Sequence, residues 1–387
     1  MIDRRTLMLG AAAGATAGVA GISLPGRAQA QEVTTEAGAF RLEAIADGLE
    51  NPWGFAFLPE GGMLVTERPG RLRLVDGAGR LSAPIRGLPG IAARGQGGLL
   101  DVALDPAYAD NRRIYLTYSE PRERGNGTAV LRAVLTRVGA GATLEDPTVI
   151  FRQMPNYSSN NHFGSRIAFA PDGAMFVTLG DRYGGMDQAQ TLDNHLGKVV
   201  RITTDGAPAP GNPFLGREGA LPEIWSYGHR NPQSAAINPA TGELWTIEHG
   251  ARGGDEVNIP RAGRNYGWPV ITYGRDYSGA RIGEGTRKEG MEQPVFYWDP
   301  SIAPSGMAFY DAAAVPAWRG SLFVGALRGQ MLVRLTLDGD AVTAEERMLR
   351  DLGERIRDVR HGPDGALYLA TDSEQGRILR LGPPRTG

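Results

Sequence analysis

Six stretches of the chain alternate apolar with small or polar residues at a period of two, break at a Pro/Gly-type turn and then resume. Phe55–Asp76 reads F-A-F-L-P-E-G-G-M-L-V-T-E-R-P-G-R-L-R-L-V-D, and Val102–Ser119 repeats the pattern around D-P-A-Y. Ile167–Asp181 gives I-A-F-A-P-D-G-A-M-F-V-T-L-G-D, and Ala235–Gly250 gives A-A-I-N-P-A-T-G-E-L-W-T-I-E-H-G. The fifth begins at Met307-Ala308-Phe309-Tyr310 and resumes after a longer loop at Ser321-Leu322-Phe323-Val324, while the sixth, Val359–Arg380, restores P-D-G-A-L-Y-L-A-T-D. Successive side chains of a strand point to opposite faces, so this period predicts short strands joined by tight turns. The repeats begin roughly 47 to 72 residues apart, which is room for four strands and variable loops. The chain is therefore expected to be all-β, a six-bladed β-propeller of four-stranded antiparallel blades, an architecture that leaves few exposed sheet edges. A β-sandwich is the rival; it gives no reason for six like units.

Composition changes this picture at the N-terminus. Arg4 and Arg5 precede an uncharged Ala/Gly/Leu-rich run from Leu7 to Leu24, and Ala28-Gln29-Ala30 offers a small-residue cleavage site. Residues 1–30 read as a twin-arginine signal peptide and 31–387 as a single propeller domain, which implies export to the periplasm. A retained N-terminal anchor is the alternative. No later segment approaches the ~20 uninterrupted apolar residues of a membrane span, so none is expected in the mature chain. Without residues 1–30 the chain carries 38 basic and 42 acidic residues, a formal charge of −4, which points away from nucleic acid. The chain has no cysteine, which excludes disulfides, iron–sulfur clusters and thiolate zinc sites.

Candidate chemistry falls in the loops that precede the repeat strands, where a propeller presents residues to one end of its channel. The densest stretch is Ile224–Trp268, with S-Y-G-H-R-N-P-Q, E-H-G-A-R-G-G-D-E-V-N and G-R-N-Y-G-W-P. His162, in N-N-H-F-G, is a candidate general base, since a neutral imidazole takes a proton from a hydroxyl near neutral pH. A loop histidine bonded to backbone is the other reading, and position alone leaves both open. Arg230 and Asn231 occupy the equivalent place before the fourth repeat strand. Arg355 and Arg357 stand two apart before the sixth, so both side chains are expected on one side of the strand, and Arg328 follows the fifth. Converging arginines suit a carboxylate or quinone oxygen. The Gly250–Glu256 turn, with Ala251, can aim carbonyls and carboxylates at calcium, but it lacks the spacing of an EF-hand, and taken by itself the segment reads better as a plain acidic turn.

These segments, with N-H-F-G-S-R, G-Q-G-G-L-L-D-V and E-R-I-R-D-V-R, closely resemble the soluble pyrroloquinoline quinone (PQQ)-dependent aldose sugar dehydrogenases, relatives of soluble quinoprotein glucose dehydrogenase, over about Gly48 to Leu381. The resemblance implies a six-bladed propeller with PQQ and Ca²⁺ at one end of the channel. It further implies that His162 removes the anomeric proton while C1 gives hydride to the quinone, and that Arg230 helps polarise that quinone. Gln96, Arg230, Asn231, Arg355 and Arg357 match PQQ contacts, and Arg328 falls where the glucose dehydrogenases carry a lysine. Gly250 and Ala251 match the carbonyl ligands of the active-site calcium, and Glu256 and Tyr266 match ligands of a structural calcium. Asn161 departs from the family's aspartate before the histidine, and Ala251 from its proline.

The implied reaction is oxidation of an aldose sugar to its lactone, with electrons passing to an acceptor that the sequence does not identify. Two rivals come from other classes. A calcium-dependent lactonase-type hydrolase wants carboxylates around a central metal, where this chain offers arginines. A non-catalytic binding propeller predicts that His162 is dispensable.

Overall fold

The computed structural model describes residues 30–384, so the segment expected to be a signal peptide, apart from Ala30, lies outside the described residues. Six antiparallel sheets form the six-bladed propeller expected from the repeats. Blade 1 comprises Pro52–Phe57, Met63–Glu67 and Arg71–Val75. Blade 2 runs from Leu99–Leu104 through Arg113–Pro121 and Asn126–Val138 to Gly141–Arg152. Ile167–Phe169, Met175–Leu179, Lys198–Ile202 and Ile224–Tyr227 make blade 3, and Pro232–Ile237, Leu244–Glu248, Asp255–Asn258 and Phe296–Trp298 make blade 4. Blade 5 contains Pro304–Tyr310, Ser321–Ala326, Met331–Asp338 and Ala341–Met348. Blade 6 contains Ile356–His361, Leu367–Thr371 and Gly376–Gly382. The first strand of each blade packs against the first strand of the next, and the sixth packs against the first, which closes the ring.

Blades 2 to 5 are four-stranded, blade 1 has three strands and blade 6 has five. The extra strands come from the N-terminal side. Gly38–Leu49 pairs antiparallel with Gly376–Gly382, setting Arg41 opposite Gly382 and Leu42 opposite Leu381, and Gln31–Thr35 adds outside it. Both ends of the domain thus meet in one sheet, whose hydrogen bonds must break before the ring can open.

The strands read as nearly continuous apolar runs because each blade is covered on both faces. Met63 and Val65 pack toward blade 6, while Leu64 between them packs toward blade 2. Met175, Val177 and Leu179 likewise face blade 2 and Phe176 faces blade 4. Period two therefore divides one strand between two blade interfaces, and six apolar clusters fill the six interfaces.

The channel is graded along its length. Beyond the loops that enter the inner strands lies a polar layer in which Arg166 Nη1 reaches Asp101 at 3.1 Å and Asp358 at 3.0 Å. Arg360 reaches the same two carboxylates at 2.9 and 3.0 Å. Further along, residues of all six inner strands, among them Phe57, Leu104, Phe169, Ile237 and Met307, line a cavity of about 430 Å³ at the opposite mouth. The ionic layer separates that cavity from the loops that carry the candidate chemistry.

Candidate active site

Every loop that enters an inner strand arrives at the same end of the channel, and those of blades 2, 3, 4 and 6 bring Gln96, His162, Arg230 with Asn231, and Arg355 with Arg357. His162 is 5% exposed and sits in the left-handed region at φ 51°. Its backbone N–H donates to Gln96 Oε1 at 2.8 Å, and its Nδ1 lies 2.6 Å from Asp181 Oδ1. Asp181 also accepts from the indole Nε1 of Trp268 at 2.7 Å and from the Tyr183 N–H at 2.7 Å. Burial lowers the pKa of His162 below its ordinary 6.5, against the opposing pull of Asp181. The ring is therefore neutral at pH 7. With the Nδ1 proton directed at the carboxylate, Nε2 is left as the basic nitrogen.

Arg230 and Asn231 lie beside this pair. Arg230 Nη1 donates to the carbonyls of His249 at 3.1 Å and Gly250 at 2.5 Å, and its guanidinium lies 5.3 Å from the Trp268 ring. Asn231 Oδ1 accepts from the Gly164 N–H at 3.1 Å and from Gln233 Nε2 at 3.2 Å. Gln233 Oε1 in turn accepts from Arg357 at 3.0 Å. Arg355 and Arg357 do point the same way, since both donate to Asp372 Oδ2, at 3.1 and 3.0 Å. Burial pushes the Asp372 carboxyl up, but the charges of Arg357 and Arg355 overcome it and hold the group down at about 2. Gln96, His162, Arg230, Asn231, Arg355 and Arg357 thus belong to one connected wall. Arg328 stands apart from it, exposed and in no side-chain ion pair among the described residues.

Three side-chain nitrogens on this wall, Arg230 Nε, Asn231 Nδ2 and Arg357 Nε, are buried without a hydrogen-bond partner. Buried donors left unpaired cost about 1–3 kcal/mol each, so their convergence fits a site built to take acceptor oxygens from a bound group.

Around Gly250 the backbone turns tightly. A Cβ there would fall 2.1 Å from the Gly253 carbonyl oxygen, so only glycine fits. Ala251 packs with Ala189 and Trp268. The acidic pair divides its work. Asp255 accepts from the N–H groups of Gly250, Ile302 and Ala303 and from the Ser301 hydroxyl, which pins the turn to the loop entering blade 5. Glu256 shares Asn258 Nδ2 with Glu248, at 3.2 and 3.1 Å. Its pKa is raised well above the usual carboxylate range by burial and by the Glu248 charge. Tyr266 stacks on His229 with ring centroids 4.7 Å apart, and its hydroxyl donates to the Ile259 carbonyl.

The two histidines of Ile224–Trp268 make structural contacts. His229 bridges Ser226 Oγ at 2.9 Å and Glu248 Oε1 at 3.0 Å, a serine–histidine–carboxylate series in which Ser226 and His229 are 0% exposed, so no substrate reaches it. His249 contacts the Pro304 carbonyl through Nε2 at 2.6 Å, and burial pushes its pKa down to about 3.

Asp181, Asp372 and Trp268 complete this arrangement and were not singled out by the motifs. One signal was present: the second strand of several repeats ends in an acid, as at Glu67 and Glu248, or is followed by one within two residues, as at Asp181 and Asp372. Each turns back to hold the loop that enters its own blade. Glu67 accepts the Glu50 N–H at 2.6 Å, Glu248 accepts the Arg230 N–H at 2.6 Å, Asp181 holds His162 and Asp372 holds Arg355 and Arg357.

Fold and site together define a six-bladed propeller enzyme whose channel mouth joins a carboxylate-tethered histidine to unpaired buried donors. The chain belongs to the glucose/sorbosone dehydrogenase family, whose profile matches residues 49–380. It is 49% identical over 346 residues to the aldose sugar dehydrogenase YliI of Escherichia coli K12, covering 88% of this chain and 92% of that protein. A crystal structure of a glucose dehydrogenase, 53% identical, superposes with TM-score 0.86 over 88% of this chain and 99% of the other. The PQQ-bound aldose sugar dehydrogenase of Streptomyces coelicolor, 32% identical, gives TM-score 0.74 over 88% of this chain and 96% of its own.

Proposed function

We propose that the protein is a PQQ-dependent aldose sugar dehydrogenase that oxidises its substrate at C1 to the lactone, working in the periplasm after export. The observation that carries this reading is the set of unpaired buried donors on Arg230, Asn231 and Arg357 beside the His162–Asp181 pair. Bound there, PQQ would supply the quinone that accepts hydride from C1. The chain's own residues supply the rest. Arg230, Arg355 and Arg357 neutralise the carboxylates of the cofactor, and Asn231 and Gln96 fix its rim and the His162 backbone. Arg230 also offers positive charge to the oxygen on which charge develops. His162 Nε2 takes the proton of the anomeric hydroxyl, and Asp181 holds the ring and stabilises the imidazolium that results. Arg328, exposed at the end of blade 5, adds positive charge at the rim.

Calcium fits two places of different character. The inward Gly250 carbonyl, with Ala251 next to it, is a hard-oxygen corner at the mouth. Glu256, with Tyr266 on the adjoining turn, borders a second corner where Asn258 Oδ1 is buried without a partner. Among the described residues no group of three or more His, Asp or Glu side chains gathers, so carbonyl and amide oxygens would have to complete either site.

The test is to add PQQ and calcium to purified cofactor-free protein and follow dye reduction with a panel of aldoses. Absence of both PQQ binding and dye reduction would sink the reading. A carboxyl with a raised pKa is still protonated near neutrality and must lose its proton to bind a cation. Calcium affinity should therefore climb as pH rises toward the folded pKa of Glu256 and level off above it, with proton release. Titration calorimetry in buffers of different ionisation enthalpy measures this, and Glu256→Gln should flatten the dependence. Among the described residues no helix is long and apolar enough to cross a membrane.

A further inference from the structure

The turn that follows Asp181 spends conformational energy in a way the reaction as described does not use. Arg182 and Tyr183 are consecutive non-glycine residues at φ 61° and 68°. Left-handed backbone is unfavourable for any side chain with a Cβ and is a marked outlier for a bulky aromatic. Such strain persists only where surrounding contacts impose it. Here the Tyr183 N–H is bound to Asp181 Oδ1 at 2.7 Å, and the Gly184 and Gly185 N–H groups close the turn onto the carbonyls of Arg182 and Asp181.

The two side chains go opposite ways. Arg182 turns inward and is 0% exposed. It stacks on Phe163 at 3.7 Å and donates to the carbonyls of Asn161 and Ser159 and to Asn126 Oδ1, so it fixes the loop that carries His162. Tyr183 turns outward and is 52% exposed. Its ring lies edge-on to the His162 ring, with centroids 5.4 Å apart and an interplanar angle of 74°. Gly184 leaves room beneath, because a Cβ there would meet the Tyr157 hydroxyl at 2.9 Å. A strained backbone therefore holds a solvent-facing aromatic ring directly beside the proposed base.

We infer that Tyr183 is the substrate-binding wall of the site, a platform on which the C–H face of a pyranose lies while its anomeric hydroxyl meets His162. This inference rests on the proposed aldose oxidation and adds the surface that selects for it. An aromatic face suits a sugar because a pyranose carries contiguous C–H groups whose burial is favourable, while its hydroxyls remain free for water and amides. The ring touches substrate but not the cofactor-holding arginines, so its loss should weaken sugar binding in ground and transition states alike.

The experiment compares the PQQ- and calcium-loaded wild type with Tyr183→Asn and Tyr183→Phe in steady-state dye reduction, with PQQ binding titrated separately. Asparagine is chosen because it tolerates the left-handed backbone, so the ring is removed without disturbing the turn. Tyr183→Asn should raise KM for pyranose aldoses by about tenfold, with a much smaller change in kcat and wild-type affinity for PQQ. Tyr183→Phe should keep the wild-type KM, since stacking needs the ring and not the hydroxyl. An unchanged KM in Tyr183→Asn overturns the inference, as does a Tyr183→Phe variant as impaired as Tyr183→Asn. A wild type that oxidises no aldose instead sinks the proposed function on which the inference rests.

Discussion

The His162→Ala holoenzyme is expected to keep PQQ and to lose about 10²- to 10⁴-fold in kcat, the range that general-base catalysis contributes. The retained binding follows from geometry. The unpaired donors that suit the cofactor sit on Arg230, Asn231 and Arg357, and the link from His162 to Gln96 runs through its backbone N–H, which alanine preserves. Asp181→Asn should fall between wild type and His162→Ala. Asp181 accepts from His162 and Tyr183 on Oδ1 and from Trp268 on Oδ2. An amide has only one oxygen, so its NH₂ must face donors on one side. If it faces His162, the ring is driven to the tautomer with the proton on Nε2, and the base is lost. Because burial lowers the His162 pKa, its NMR titration in the cofactor-free chain should have its midpoint below 6.5, the proton-accepting form being lost as pH falls through that value. Absorbance titration of PQQ alongside dye-reduction kcat separates binding from turnover. A His162→Ala kcat within about tenfold of wild type would remove His162 from the role of base.

How much of this was legible in the sequence differs by element. The blade count followed from six recurrences of one strand–turn–strand pattern, whose turns carry Pro, Asp and Gly. The closure of the ring did not. Gly38–Leu49 has no repeat signature of its own and pairs across the whole length of the chain with Gly376–Gly382. The meeting of Arg355 and Arg357 was readable from their spacing, but their common carboxylate, Asp372, looked like the tail of a repeat.

Asp181 looked the same: the residue noted beside His162 was Asn161, whereas the carboxylate that reaches the ring stands 19 residues downstream. Trp268 stands 87 residues from Asp181, a pairing that only the arrangement of blades 3 and 4 creates. Local pattern specifies strands and turns; the second layer of a site depends on which strand ends the closed ring brings together. That is why the loop acids were invisible as partners although their repetition at the ends of second strands was in plain view. Arg328 is the converse, a position supported by motif that no side-chain ion pair among the described residues ties to the wall.

Replacing Asp101 by alanine is expected to cost about 3–5 kcal/mol of stability, the range for removing one partner from a buried ionic network. Asp101 is 0% exposed and accepts from Arg166 Nη1 at 3.1 Å, Arg360 Nη2 at 2.9 Å and the Ile167 N–H at 2.9 Å. Blades 2, 3 and 6 therefore meet on this one carboxylate. Its neighbours are cut to fit. A Cβ on Gly54 would come within 2.8 Å of Asp101 Oδ1, and one on Gly306 within 2.2 Å of Asp358 Oδ1, so glycine at both inner strands makes room for the acids. Without Asp101, Arg166 and Arg360 converge on Asp358 alone, leaving two guanidinium charges on one carboxylate in a layer shielded from water. The damage should also reach the site, because Arg166 lies 4.3 Å from the Trp53 ring and Arg357 lies 5.8 Å from it. Asp101→Ala should therefore weaken PQQ binding as well as lower the denaturation midpoint, whereas Arg360→Ala, at the more exposed end of the network, should lower that midpoint less. Denaturant unfolding of the cofactor-free variants reads the first effect and PQQ titration the second. An Asp101→Ala chain within about 1 kcal/mol of wild type would mean that the network contributes no more than an ordinary hydrogen bond.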